Sequence, residues 1–253
     1  MPPLSSTPQS LTSSPAPALD ADERQRLTAR YEEIAGLAGS IAHEIKNPLS
    51  TINLNLGLLQ EDLAGHDAPR DRRMLKKIET VQRECRHLEE LLEDFLKFAR
   101  VGQLELANDE LNDAVREFIE FYQPQADAVG VELSPHLAAN LASTRLDRTL
   151  FRQVLLNLAI NAQQAMPKGG ILELQTSMRN NCLQLDLIDN GSGMDSATLG
   201  RIFDPFYSTK PGGSGLGLPT VRKIIEAHAG QIVVASEPGR GTRFTITLPA
   251  ASP

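Results

Sequence analysis

The sequence predicts an α-helical hairpin that forms a dimeric four-helix bundle, followed by an α+β sandwich. Three observations carry this. Two long apolar seams with alternating three- and four-residue spacings lie between residues 27 and 99, separated by a short turn-forming stretch. Beyond Val101 and Gly102 the pattern changes to short strand-like runs grouped with helical ones. Aromatics make up only 4% of the chain and Trp is absent, so the core rests on Leu, Ile, Val and Ala, which suits long amphipathic helices.

The first seam runs Leu27, Tyr31, Ile34, Ala38, Ile41 and Ile45, and resumes after Pro48 as Ile52, Leu56, Leu59 and Leu63. A turn is expected over residues 64–71. The second seam runs Leu75, Ile78, Val81, Cys85, Leu88, Leu92, Phe95 and Ala99. Two helices alone bury little apolar surface, so the hairpin is expected to pair with a second copy as a homodimer. Residues 1–22, rich in Pro, Ser and Ala, read as a disordered tail. The hairpin domain is expected over 23–102 and the sandwich domain over 103–250.

In the second domain helices are expected at Asn112–Tyr122, Asp147–Met166 (with Asp147 as N-cap) and Pro219–His228. Strands are expected at Val131–Leu133, Ile171–Thr176 and Leu183–Ile188, with a closing hairpin of Ile232–Ala235 and Thr242–Leu248. The grouping suggests one sheet against helices.

A net charge of −7, with no basic stripe carrying aromatics, argues against nucleic-acid binding. No apolar run approaches the roughly 20 residues needed to span a bilayer, and the N-terminus lacks a signal-peptide pattern; a cytoplasmic protein is expected. Cys85 and Cys182 read as small hydrophobes in a reducing compartment. No His pairs with Cys or acidic residues at metal-ligand spacing. His228 ends a helix, where a cation would suit the dipole.

Chemistry concentrates in five segments. On the first helix, Ile41-Ala-His43-Glu44-Ile-Lys-Asn47-Pro48-Leu49 puts His43 at the heptad position farthest from the core. Asn47 shares that face one turn on. Pro48 should bend the helix there. Neutral imidazole offers one basic nitrogen, and Glu44 could accept the proton on the other. A solvated His–Glu surface pair fits the same spacing.

In the second domain, Asn157 and Asn161 share one face of an apolar helix. Buried amides must be bonded, and their oxygens suit Mg²⁺; a structural amide pair is the alternative. Asp189-Asn-Gly191-Ser-Gly193 follows an apolar strand. Its glycines allow close approach of a ligand, and Asp189 can accept a hydrogen bond from an exocyclic amine such as adenine's; an ordinary strand-end turn is the alternative. Phe203-Asp-Pro-Phe206-Tyr-Ser-Thr-Lys210 supplies aromatics to hold a mobile segment, and a lysine for phosphate. Gly212, Gly213, Gly215, Leu216 and Gly217 lead into a helix, where backbone amides make an anion site. This is not a Walker A loop.

In this order the five segments resemble the H, N, G1, F and G2 boxes of two-component histidine kinases, over residues 27 to 249. The wording HEIKNPL and STKPGGSGLGLPTVRKIIEAHAG is similar to the nitrogen-regulation and sporulation kinase branch. The resemblance implies a dimerisation and phosphotransfer hairpin followed by a Bergerat-fold ATP domain. It implies His43 as phospho-acceptor and Glu44 as its base. Asn161 would hold Mg²⁺ with Asn157 beside it, Asp189 would read adenine, and Lys210 with the glycine loop would hold the phosphates of ATP. It further implies phosphotransfer to a response regulator, with Asn47 serving a phosphatase reaction.

Where related ATPases carry a water-activating Glu this chain has Asn157, which favours transfer over hydrolysis. Pro219 stands where a smaller residue is commoner. No sensor domain is legible, so the first helix or a separate sensor protein supplies the signal. Competing readings are a module acting mainly as a phosphatase, a non-catalytic scaffold, and a chaperone-type ATPase. Intact His43, Asn161 and Asp189 argue against the scaffold, and the missing Glu argues against the ATPase.

Overall fold

The computed structural model describes residues 45–63, 69–101, 104–210 and 213–251. The expected tail, the first helix before Ile45, His43, Glu44, residues 64–68 of the turn, and Gly212 lie outside the described residues.

Residues 45–63 form helix α1, and Pro69–Arg100 form α2. Pro48 sits in helical backbone. Just after it, Ser50 and Thr51 donate their hydroxyls to the carbonyls of Lys46 and Asn47, at 2.9 and 3.1 Å. The expected single seam on each helix is two lines. One line faces across the hairpin and joins Leu49, Asn53, Leu56 and Gln60 to Ile78, Gln82, Cys85 and Glu89. Leu49, Ile78 and Cys85 are buried there. Asn53 donates to Glu89 at 3.3 Å, and Gln82 donates to Gln60 at 3.0 Å. The other line, Ile45, Ile52 and Leu59 with Met74, Val81 and Leu88, repeats every seven residues and is exposed. The two lines diverged because a four-helix core needs each helix to face two neighbours, whereas apolarity alone marks only the broad stripe.

Val101 leaves the hairpin and enters the core of the second part, where it is 4% exposed. There β1 (Ala107–Asp109) pairs antiparallel with β3 (Thr144–Leu146) in a two-stranded sheet that the sequence pattern does not mark. Helix α3 (Leu111–Ala128) outruns its expected end at Tyr122 and contains Pro124. Burial of Tyr122 and Ala126 holds this extension despite the proline.

The main sheet has the order β2-β4-β5-β7-β6, with β2 (Val131–His136), β4 (Gly170–Arg179), β5 (Cys182–Asp189), β6 (Gln231–Glu237) and β7 (Gly241–Pro249). β2 and β4 are parallel because helix α4 (Arg148–Ala165) crosses between them; the other pairs are antiparallel. The β4–β5 turn is Asn180-Asn181, both at positive φ (50° and 60°), the geometry that matches the twist of a tight hairpin. Leu172, Leu174, Leu185, Leu187 and Ile246 meet Phe118, Phe151, Leu155 and Ile224 from the helices. Helix α5 (Ser196–Leu199) is a single turn capped by Asp195, and α6 (Gly217–Ala227) starts two residues before its expected Pro219.

One junction fixes how these elements meet. Asp147 caps α4 by accepting from the Leu150 amide, accepts from the Glu105 amide of the linker, and donates its own amide to His228 Nε2 at 2.9 Å. His228 Nδ1 lies 2.8 Å from the Ile224 carbonyl and donates to it. The ring is 3% exposed and uses both nitrogens as a neutral tautomer must. The expectation of a cation at the end of α6 is therefore corrected: burial lowers the pKa of His228.

Helix α2 also touches the second part. Lys223 donates to the Phe98 carbonyl at 2.9 Å and lies over the Phe98 ring, and Ser214 donates to Asp94 at 2.7 Å. Among the described residues no helix is long and apolar enough to cross a membrane.

Candidate functional site

The C-terminal end of β5 carries Asp189 into the protein, where it is 5% exposed. One carboxylate oxygen accepts from the Gly191 amide at 2.9 Å. Burial raises its pKa, and the Gly191 and Thr242 amides and the charge of Lys210 oppose that shift. A buried carboxylate with remaining lone pairs is suited to a neutral donor such as an exocyclic amine.

Gly191 and Gly193 have a more local reason than ligand approach. A Cβ on Gly191 would meet Ala165 at 2.8 Å, and the Ser192 amide donates to the Ala165 carbonyl at 3.0 Å. Gly193 has φ +64°, and a Cβ there would sit 2.0 Å from the Glu237 carbonyl oxygen. The close approaches these glycines make are to the protein, and they clamp the loop after β5 between α4 and the β6–β7 hairpin.

Helix α4 presents three amides at helical spacing: Asn157, Asn161 and Gln164. Its other face is buried through Phe151, Val154, Leu155 and Leu158. Lys210 arrives from the loop before α6. Its ammonium donates to Asn161 Oδ1 at 2.8 Å and to Gln164 Oε1. Desolvation lowers the Lys210 pKa, partly opposed by Asp189. Gln164 escaped sequence reading, although its spacing of three from Asn161 was the available signal.

The glycine loop folds back on the aromatic segment. Gly215 has φ +67°, and a Cβ on it would meet the Phe206 carbonyl carbon at 2.5 Å; its carbonyl accepts from the Phe206 amide at 3.1 Å. A Cβ on Gly213 would meet the Ser208 hydroxyl at 2.5 Å. Phe206 itself takes φ +64° and is 67% exposed. Leu216, buried, occupies the N-cap of α6 without a side-chain cap, so the first amides of α6 are left for another acceptor. Gly217 stands over Asn157, whose side-chain oxygen would be 3.5 Å from a Cβ there.

Asn157, Asn161, Asp189, Lys210 and the loop 213–217 thus border one region between α4, the end of β5 and the start of α6. Asn47 stands apart, exposed on α1. The amide oxygen of Asn161 is aimed at a cation already, since the Lys210 ammonium sits on it. Hard neutral oxygens of this kind fit Mg²⁺, which takes few protein ligands and completes its shell with phosphate and water.

Residues 34–104 match the family described as His Kinase A (phospho-acceptor) domain, and residues 146–252 match the histidine kinase-, DNA gyrase B-, and HSP90-like ATPase family. The chain is 34% identical over 231 residues to the signal transduction histidine-protein kinase AtoS of Escherichia coli, covering 90% of this chain and 37% of that protein. It is 35% identical over 214 residues to the alginate biosynthesis sensor protein KinB of Pseudomonas aeruginosa, covering 82% of this chain and 36% of that one. The crystal structure of full-length ShkA in complex with AMPPNP superposes with a TM-score of 0.66 at 28% identity, over 86% of this chain and 46% of that chain. The chain therefore spans little more than a third of the length of the two curated relatives. A phospho-acceptor match followed by an ATPase match, in a chain similar along most of its length to these kinases, makes it a member of the two-component sensor histidine kinase family.

Proposed function

We propose that this chain binds ATP in the region around Asp189 and transfers the γ-phosphoryl group to His43, and that an aspartate of a response regulator then receives it. The observation that carries this is the Lys210 ammonium bonded to Asn161 beside the uncapped start of α6. One positive charge and the first amides of α6 thereby lie in the same region as the buried Asp189 carboxylate, which acts on Lys210 through space.

In this reading Asp189 accepts a hydrogen bond from the adenine amine. Lys210 and the amides at the start of α6 hold the phosphates. Asn161, with Asn157 beside it, is the side chain that would hold Mg²⁺, which supplies charge neutralisation at the transferring group. The basic nitrogen of His43 forms a bond to the γ-phosphorus as the bond to the β,γ-bridging oxygen breaks, and ADP leaves. Glu44 accepts the proton of the other imidazole nitrogen. Asn47, exposed on α1, would orient a water against the regulator's aspartyl phosphate. The division between domains falls at the end of α2, and the exposed line of Ile52, Leu59, Val81 and Leu88 is the face that meets a second copy. A separate sensor protein, or further chain, supplies the stimulus.

The test is incubation with γ-labelled ATP. An acid-labile, base-stable phosphate that disappears in His43→Gln supports the reading. Unchanged labelling of that variant would overturn the assignment of the acceptor.

A further inference from the structure

Lys210 is placed to do more than hold phosphate, a role that rests on this region being the nucleotide pocket proposed above. Its backbone is tied by the Ser208 hydroxyl, which accepts from the Lys210 amide at 3.1 Å, and by the Gly213 amide, which donates to the Lys210 carbonyl at 3.2 Å. From this anchored loop the side chain reaches across to α4 and places its ammonium between Asn161 Oδ1 and Gln164 Oε1. Both acceptors are neutral amides. The remaining anion that acts on it is Asp189, which acts through space. Among the described residues the ammonium is hydrogen-bonded to neutral amides and to no carboxylate, a state that favours arrival of an anion. It also sits on the oxygen that fits a divalent cation.

We propose that Lys210 is a counter-cation built into the site: it occupies Asn161 when no divalent metal is there, so that a nucleoside diphosphate binds without metal, and it yields Asn161 when the metal comes. Lysine suits this task because its ammonium is a point charge with three donors on a flexible stem. It can keep Gln164 and swing to phosphate. The amide row of α4 serves either cation, since neither requires a carboxylate once phosphate supplies the negative charge.

The experiment is calorimetric titration of ADP into the full chain, once with excess EDTA and once with Mg²⁺, for the wild type, Lys210→Met and Lys210→Arg. Met keeps the length of the stem and removes the charge, and circular dichroism melts verify that each variant folds. The wild type should bind ADP in both media. Lys210→Met should lose about tenfold to a hundredfold in EDTA, as expected for one charge-assisted hydrogen bond, and several-fold less than that with Mg²⁺, where the metal supplies most of the charge and only the phosphate contact of Lys210 is lost. Lys210→Arg should recover most of the EDTA affinity. Equal losses in the two media would make Lys210 an ordinary phosphate ligand and overturn the proposal. So would unchanged affinity in both, or a wild type that binds ADP with Mg²⁺ and not in EDTA. A wild type that binds no nucleotide in either medium would overturn the nucleotide reading itself, and this proposal with it.

Discussion

The Ser214 hydroxyl, in the glycine-rich loop, donates a 2.7 Å hydrogen bond to the carboxylate of Asp94 on helix α2. The same loop leads to the amides assigned here to phosphate. A negative charge on the hairpin thus holds the loop by its hydroxyl while repelling the anion the loop is to receive. Asp94→Asn keeps an acceptor and removes the charge. It should raise ATP affinity by roughly threefold at low salt, and the gain should shrink as salt screens a partly exposed charge. Fluorescent-nucleotide titrations at two ionic strengths measure this. A weaker-binding variant would mean that the contact organises the loop for nucleotide instead of opposing it.

Asp189 carries a second balance between stability and binding. Its folded pKa is raised by burial, so in the free protein the folded state holds its proton more tightly than the unfolded chain does. Between the ordinary carboxylate value and the raised one, stability therefore increases as pH falls. Asp189→Asn removes a buried charge and can still accept from Gly191. Without nucleotide it should melt no lower than the wild type. It should nonetheless lose ~1.5–3 kcal/mol of ATP binding and less toward GTP, which presents a carbonyl where adenine presents its amine. Unchanged ATP affinity in calorimetry would remove Asp189 from the site.

His228 gives the opposite pH dependence. Its folded pKa is lowered from 6.5, so the unfolded chain takes up a proton first. Stability should be full above that value, fall as pH drops below it, and stop falling once the folded ring also titrates. Protonation sets an N–H on Nε2 against the Asp147 amide, which breaks the joint between α4 and α6. In His228→Gln the fall below pH 6.5 should be shallower than in the wild type, as read from urea midpoints across that range. Parallel curves for the two proteins would show that carboxylates alone set the acid response.

The exposed apolar line on the hairpin predicts the assembly. Val81→Glu and Leu88→Glu place charges on surface that needs a partner and leave the buried line of Leu49, Ile78 and Cys85 intact. Each should convert a dimer to a folded monomer in light scattering, with nucleotide binding retained by the second domain. Dimers that persist in both variants would move the interface elsewhere.

Much of this architecture was legible because its signals are local. Alternating Leu-rich runs marked β4 and β5, Asp147 marked the start of α4, and glycine clustering marked the loops around the site. The misses were non-local. Three-residue β1 is a strand only because β3, far away in sequence, pairs with it. His228 read as a helix-end cation because its acceptor role depends on an amide 81 residues away. Gly191 and Gly193 were read as making room for a ligand, whereas the neighbours that exclude a Cβ, Ala165 and Glu237, belong to other elements. Gln164 went unread because nothing before the fold shows that Lys210 comes to rest on it.

The polar residues inside the hairpin limit how a stimulus can travel along it. Asn53 with Glu89 and Gln60 with Gln82 form two rungs seven residues apart on α1. Sliding α1 by one heptad, about 10 Å of helix, would set Asn53 opposite Gln82 and Lys46 opposite Glu89, and would leave Gln60 facing Leu75 without a partner in its rung. Shorter strokes misalign both rungs together. The rungs act as teeth against axial travel, while rotation of the helices about the line they define leaves each rung able to close. Relative motion of α1 and α2 is therefore easier as torsion than as thrust.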